Sequence, residues 1–184
     1  MVMDHPIKSH ADEFRELALL LSEGDESLSA DVVLSEIDPV AYVRTHAEEL
    51  ELRGISKPID GLPWIALIDG LENRGKLIEL DWKESGEMFV NAVIKLLENE
   101  KSLEQTRDSL NSINVKDSRK VADVLEQIDQ ILAPCGYSIV LIDIYADCYP
   151  IALAQRLSIT SIMEIADRIE KRRLRNFGSK VSER

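Results

Sequence analysis

The chain is short of the residues from which reactive sites are usually built. It has two cysteines, Cys135 and Cys148, three histidines, and only 5% aromatic residues. Two thiols without a CxxC spacing do not make a thiolate metal site, and unpaired thiols suit a reducing compartment. His5, His10 and His46 stand in no triad context, and no GxSxG elbow occurs, so nucleophilic catalysis has no motif to rest on. Neither GxxxxGK followed by Ser or Thr nor GxGxxG is present, and the eight glycines are scattered, mostly at expected helix ends. No apolar run approaches the roughly 18 residues of a membrane-crossing helix. Met1–Phe14 carries no apolar core of a secretory signal, so a cytoplasmic protein is expected. Internal repeats and low-complexity linkers are missing too.

What the chain does have is aliphatic bulk and negative charge. Hydrophobic residues make up 45% and charged residues 30% of 184 positions, a composition able to bury a core in a single domain spanning 1–184, with 1–9 and 176–184 frayed. Leu, Ile, Val and Ala must do the packing. The formal net charge is −12, unevenly placed: Arg168–Arg184 holds seven basic and two acidic residues, which leaves residues 1–167 at −17. Such a body repels nucleic acid and attracts a basic protein surface.

Hydrophobic spacing places the elements. Helices are expected over His10–Glu23, with Phe14, Leu17, Ala18 and Leu21 inward, and as a short turn over Ala30–Ile37 after a polar connection. Another is expected from Asp38 as cap and Pro39 as first residue to Gly54, with Val40, Val43, Ala47 and Leu50 on one stripe. Trp64, Leu67, Ile68 and Leu71 mark the next, and Lys76–Trp82 alternates as a strand. Ser85 opens a helix to Glu98, Ser102–Ile113 forms a more polar one, and Asp117 caps a strongly amphipathic one ended by Pro134 and Gly136. Two strands follow, Ser138–Ile144 and Ile151–Arg156, joined too tightly for a crossover and therefore antiparallel. A last helix starts near Ser158 or Thr160 and buries Ile162, Ile165, Ala166 and Ile169, its basic end (Lys171, Arg172, Arg173) suiting the helix dipole. The expected fold is α+β, a helix-rich single domain with a small, largely antiparallel sheet of about three strands, covered by helices on one face.

The turn between the last two strands is the nearest thing to a site. It gathers Asp143, Tyr145, Asp147 and Tyr149, and acidic residues beside tyrosines make a good protein-binding surface. Cys148 lies between Asp147 and Tyr149, and a neighbouring carboxylate makes a thiol a poor nucleophile. Trp64 and Trp82 are expected to anchor the core. An alternative joins Asp69, Asp81, Asp143 and Asp147 at strand ends, where clustered carboxylates could bind a hard cation or act as acid and base. The spacing from Asp143 to Asp147 matches no defined metal loop, and turn chemistry, which requires nothing further of the chain, is the simpler account of these aspartates.

Two segments, PWIALIDGLENRGKLIELDWKES (Pro63–Ser85) and YSIVLIDIYADCYPIALA (Tyr137–Ala154), together resemble a bacterial family of uncharacterised proteins with a domain of unknown function. The shared pattern is an apolar helix leading into a strand that ends Asp81, Trp82, Lys83, and a later strand pair with Asp143, Asp147 and Tyr149 at its turn. The hairpin is also similar to one in the Smi1/Knr4-like superfamily, whose bacterial members include toxin-immunity proteins. That resemblance implies a small acidic binder and transfers no catalytic residue. The function expected is a non-enzymatic, cytoplasmic, protein-binding module without cofactor or metal, whose partner has a basic surface. Neither nucleic acid nor membrane is an expected partner, and self-association stays open. The alternative expectation is a metal-dependent hydrolase or small-ligand enzyme using the clustered aspartates.

Overall fold

A strand that is apolar on both sides has to lie between two layers. Tyr137–Ile142, YSIVLI, is such a strand, with five of its six residues buried. The computed structural model describes residues 9–81, 83–98, 104–113, 115 and 121–177. Among these, the order is α1 (Ala11–Ser22), α2 (Glu26–Ile37), α3 (Pro39–Thr45), α4 (Ala47–Leu52), α5 (Leu62–Glu72), β1 (Leu77–Asp81), α6 (Gly86–Leu96), α7 (Glu104–Asn111) and α8 (Val121–Leu132). β2 (Tyr137–Ile142), β3 (Cys148–Gln155), α9 (Ile159–Ile169) and β4 (Leu174–Asn176) complete it.

The α+β expectation holds. The sheet is antiparallel throughout and has four strands in the order β1-β3-β2-β4, one more than expected. Helices cover both faces rather than one, because the inner strands alternate between two apolar sets. Leu77, Val140, Ile142, Ala152, Ala154 and Leu174 face a core shared with α1, α2, α5 and α9. Leu80, Ile139, Leu141 and Ile151 face a second core built with α6, α7 and α8. Gly70 permits the crossing of α2 and α5, since a Cβ there would fall 2.1 Å from Leu28 Cδ1.

Four local expectations need correction. α2 begins at Glu26, inside the supposed connection, because Asp25 Oδ1 accepts the Leu28 N–H at 2.9 Å and caps it. The stripe after Pro39 is broken at His46, which separates α3 from α4 and resets the helical phase. Val40 is therefore 66% exposed and Ala47 exposed, while Tyr42, Val43 and Leu50 are buried. The last helix ends at Ile169, so Lys171, Arg172 and Arg173 do not form its final turn; the chain reverses through Arg172 (φ 68°) into β4. Asn176, expected to be frayed, closes that strand and donates to Ser138 Oγ at 2.8 Å and the Ile139 carbonyl at 3.0 Å. The expectations for Trp82, Ser102 and Asp117 lie outside the described residues.

Among the described residues no helix is long and apolar enough to cross a membrane.

Candidate functional site

The register of the sheet brings the ends of β1 and β2 and the starts of β3 and β4 to one side. Asp81 pairs with Cys148, and Ile142 with Leu174. The β2–β3 turn therefore meets the segment after α9. Asp143 donates its N–H to the Arg173 carbonyl at 2.7 Å. Its side chain accepts the Tyr145 N–H at 2.8 Å and an Arg175 N–H at 3.3 Å. That bond to its own turn helps hold Tyr145 at φ 56°, a left-handed conformation uncommon outside glycine.

Tyr145 is 75% exposed yet firmly held. Its hydroxyl donates to Glu170 Oε1 at 3.0 Å, and the guanidinium of Arg173 lies 4.0 Å from its ring centre. Hydrogen bonding to the Glu170 carboxylate raises the Tyr145 pKa, since a phenolate could not donate. Arg173, only 8% exposed, donates to Glu170 Oε2 at 2.6 Å and to the Asp143 carbonyl at 2.8 Å. Beyond it the Trp64 ring centre lies 5.9 Å away.

Of the four turn residues singled out in the sequence, Asp143 and Tyr145 thus belong to one circuit with Glu170, Arg173 and Arg175. Asp147 is exposed at the tip. Tyr149 points to the other face of the sheet, as alternation along β3 requires, and meets Phe89 edge-on at 5.8 Å. Asp143, Asp147 and Tyr149 nonetheless border one shallow hollow of about 300 Å³ with Arg175.

The carboxylates gather elsewhere. Arg53, from the end of α4, bridges Asp69 on α5 and Glu79 on β1: its Nε donates to Asp69 Oδ1 at 2.6 Å and its Nη2 to Glu79 Oε1. Glu72, one turn beyond Asp69, completes a group whose oxygens approach within 4.8 Å. Burial pushes Asp69 upward against the pull of Arg53, and burial with the nearby Glu79 does the same to Glu72. Burial opposes the charge on Arg53, but the bonds to Glu79 and Asp69 outweigh it and hold the guanidinium above its ordinary value. Cys148 Sγ donates to Glu79 Oε2 at 3.4 Å, and burial followed by Glu79 pushes the thiol up to about 12. Asp147, the neighbour in sequence, contributes least of the causes.

Asp69 is accordingly the one member of the four-aspartate alternative that joins a carboxylate group. Asp81 serves its own turn, accepting the Lys83 N–H at 2.8 Å through Oδ1. Asp143 is bound to Arg175. Asp69, Glu72 and Glu79 offer oxygen ligands that suit a hard cation, but Arg53 already lies among them as the balancing charge. Sequence reasoning did not single out Arg53, Glu79, Glu170 or Arg173. Arg173 shows there only as part of the basic run Lys171–Arg173, and Glu79 as a polar position in the alternation of Lys76–Trp82.

No curated protein and no solved structure matches the chain. One family model does, over residues 13–176, which takes in all four strands and most of both cores. The chain belongs to the DUF6630 family, a domain of unknown function.

Proposed function

We propose that the protein acts by holding another protein, one with a basic surface, rather than by catalysing a reaction. The observation that carries this reading is Tyr145. It is a large, mostly exposed aromatic residue already fixed by a hydrogen bond, a stacked guanidinium and an unusual backbone conformation. A side chain fixed before contact loses little entropy on binding, and tyrosine is a frequent anchor at interfaces. Asp147 beside it and the net charge of −12 suit a cationic partner. The concrete form is toxin-immunity-like neutralisation in a bacterial cytoplasm, with Tyr145 and Asp147 at the contact and Asp143 holding the turn. Tyr149 supports the tip from the sheet.

The alternative, a metal-dependent hydrolase, draws less support, because the carboxylate group around Asp69 is already balanced by Arg53. The test is capture of partners from native cytosol on immobilised protein. Retention at about 50 mM salt and release at about 0.5 M is expected, because exposed charges are screened over that range. Tyr145→Ala should abolish retention. Failure to retain any protein at either salt sinks the reading.

A further inference from the structure

We infer that a second part of the same interface is the groove between α1, the α2–α3 junction, the Pro58–Pro63 segment and the end of α9. It takes a short stretch of the partner that carries a Lys or Arg among apolar side chains. This rests on the binding reading above and adds where, and by what chemistry, the partner is gripped.

The groove encloses about 490 Å³. That is within the roughly 300–1,000 Å³ of sites that take drug-sized ligands, and wide enough for a few side chains. Phe14 and Trp64, packed edge-to-face at 5.1 Å, lie at its base. Three of the six prolines in the chain, Pro39, Pro58 and Pro63, line its sides. Proline offers no N–H, so these walls are stiff and poor in donors. They suit apolar contact and do nothing for an anion. Ile59 at the lining is 42% exposed. An exposed isoleucine above a base of Phe14 and Trp64 leaves apolar surface open to a partner.

Charge selects the occupant. Glu36, Asp60 and Glu170 border the groove. Glu36 uses one oxygen to accept the His10 N–H at 2.8 Å. Asp60 is exposed. Of the basic groups described there, Arg173 is paired with Glu170 and His10 lies 3.8 Å from Glu13. A Lys or Arg entering over the apolar base would meet Glu36 and Asp60, whereas an acidic segment would be repelled.

The groove is also continuous with the Tyr145 tip. Glu170 borders the groove and accepts the Tyr145 hydroxyl. Arg173 lies between Tyr145 and Trp64, with Nη2 3.7 Å from where a side chain on Gly61 would begin. One partner can therefore touch both.

The probe is a blocked synthetic peptide of Lys, Leu and Pro, titrated into the isotope-labelled full chain and followed by amide and indole NMR shifts. A second peptide carries Glu in place of each Lys. The Lys peptide should shift Ile59, Gly61, the Trp64 indole and Ile169, and Asp60→Lys or Ile59→Lys should weaken it about tenfold. Equal binding of the Glu peptide, shifts that map elsewhere, or no binding of the Lys peptide would overturn the inference. Both substitutions fall on exposed residues, so loss of folding does not confuse the result. The two proposals fail separately. A cytosolic partner retained by wild type and equally by Ile59→Lys refutes the groove and leaves the Tyr145 reading standing. A groove that seats the Lys peptide in a protein that retains no partner refutes the Tyr145 reading and, with it, the groove's place in that interface, while its preference for a basic apolar segment stands.

Discussion

The guanidinium carbon of Arg173 lies 4.0 Å from the ring centre of Tyr145, while the same side chain bonds Glu170 and the backbone of Asp143. A nearly buried arginine thus ties the β2–β3 turn to the end of α9. Arg173→Met keeps an unbranched apolar stem and removes the donors. It should cost about 2–4 kcal/mol, because the Asp143 carbonyl and Glu170 lose charged hydrogen bonds in a poorly solvated place. Urea denaturation followed by circular dichroism measures this. A variant within about 0.5 kcal/mol of wild type would show that the turn is held by something else.

Asp129, 2% exposed, pins α8 to β2. It accepts from the Ser138 hydroxyl, from the Ile139 N–H at 2.8 Å and from Arg156 Nη1 at 3.2 Å. Asp129→Ala strands a buried N–H and a buried hydroxyl, and should lower stability by about 2–4 kcal/mol. Asp129→Asn keeps one acceptor oxygen and should lose less. Equal losses in the two variants would mean that shape, not hydrogen bonding, matters there.

Glu72 has a folded pKa above its ordinary 4.5, first through burial and then through Glu79. A raised carboxylate binds its proton more tightly in the folded chain. Its contribution is fully present below 4.5 and is lost as pH rises through the folded value. Glu72→Gln removes that loss. The variant should exceed wild type in stability at pH 7, with the gap closing as pH falls toward 4.5. Paired urea titrations at the two pH values read it. A gap that widens on acidification would contradict the assigned direction.

Cys148 should be inert. With its thiol pushed up to about 12, its thiolate fraction at pH 8 is lower than that of a free cysteine by roughly three orders of magnitude. Iodoacetamide labelling resolved by peptide mass mapping should leave it largely unmodified in the native protein. Glu79→Gln, which removes the neighbouring negative charge, should speed its alkylation. Rapid labelling of native Cys148 would show that the thiol is neither buried nor bonded to Glu79 as described.

Much of the fold was legible along the chain. The stripe of α1, the stripe of α5 from Trp64 to Leu71, and the paired strands around the Asp143–Asp147 turn all follow from spacing that local geometry imposes. Misreadings arose where a local signal had two meanings. Asp25 looks like loop until its carboxylate is seen capping α2. Arg173 looks like the basic end of a helix until the chain is seen to reverse at Arg172 into a three-residue strand. β4 is too short to show alternation; it exists because β2 has an unpaired side that Leu174–Asn176 can satisfy.

By itself the amino-acid sequence determined the helical stripes, the central antiparallel pair, the acidic balance and the lack of familiar reactive motifs. Those properties depend on composition and on residues a few positions apart. Tertiary structure alone decided that Arg53 balances Asp69 and Glu79, and that Arg173 lies between Tyr145 and Trp64. It also decided that the sheet is covered on both faces. Side chains far apart along the chain meet only when the layers stack, and the side of the sheet each helix takes is set by which apolar face it must bury.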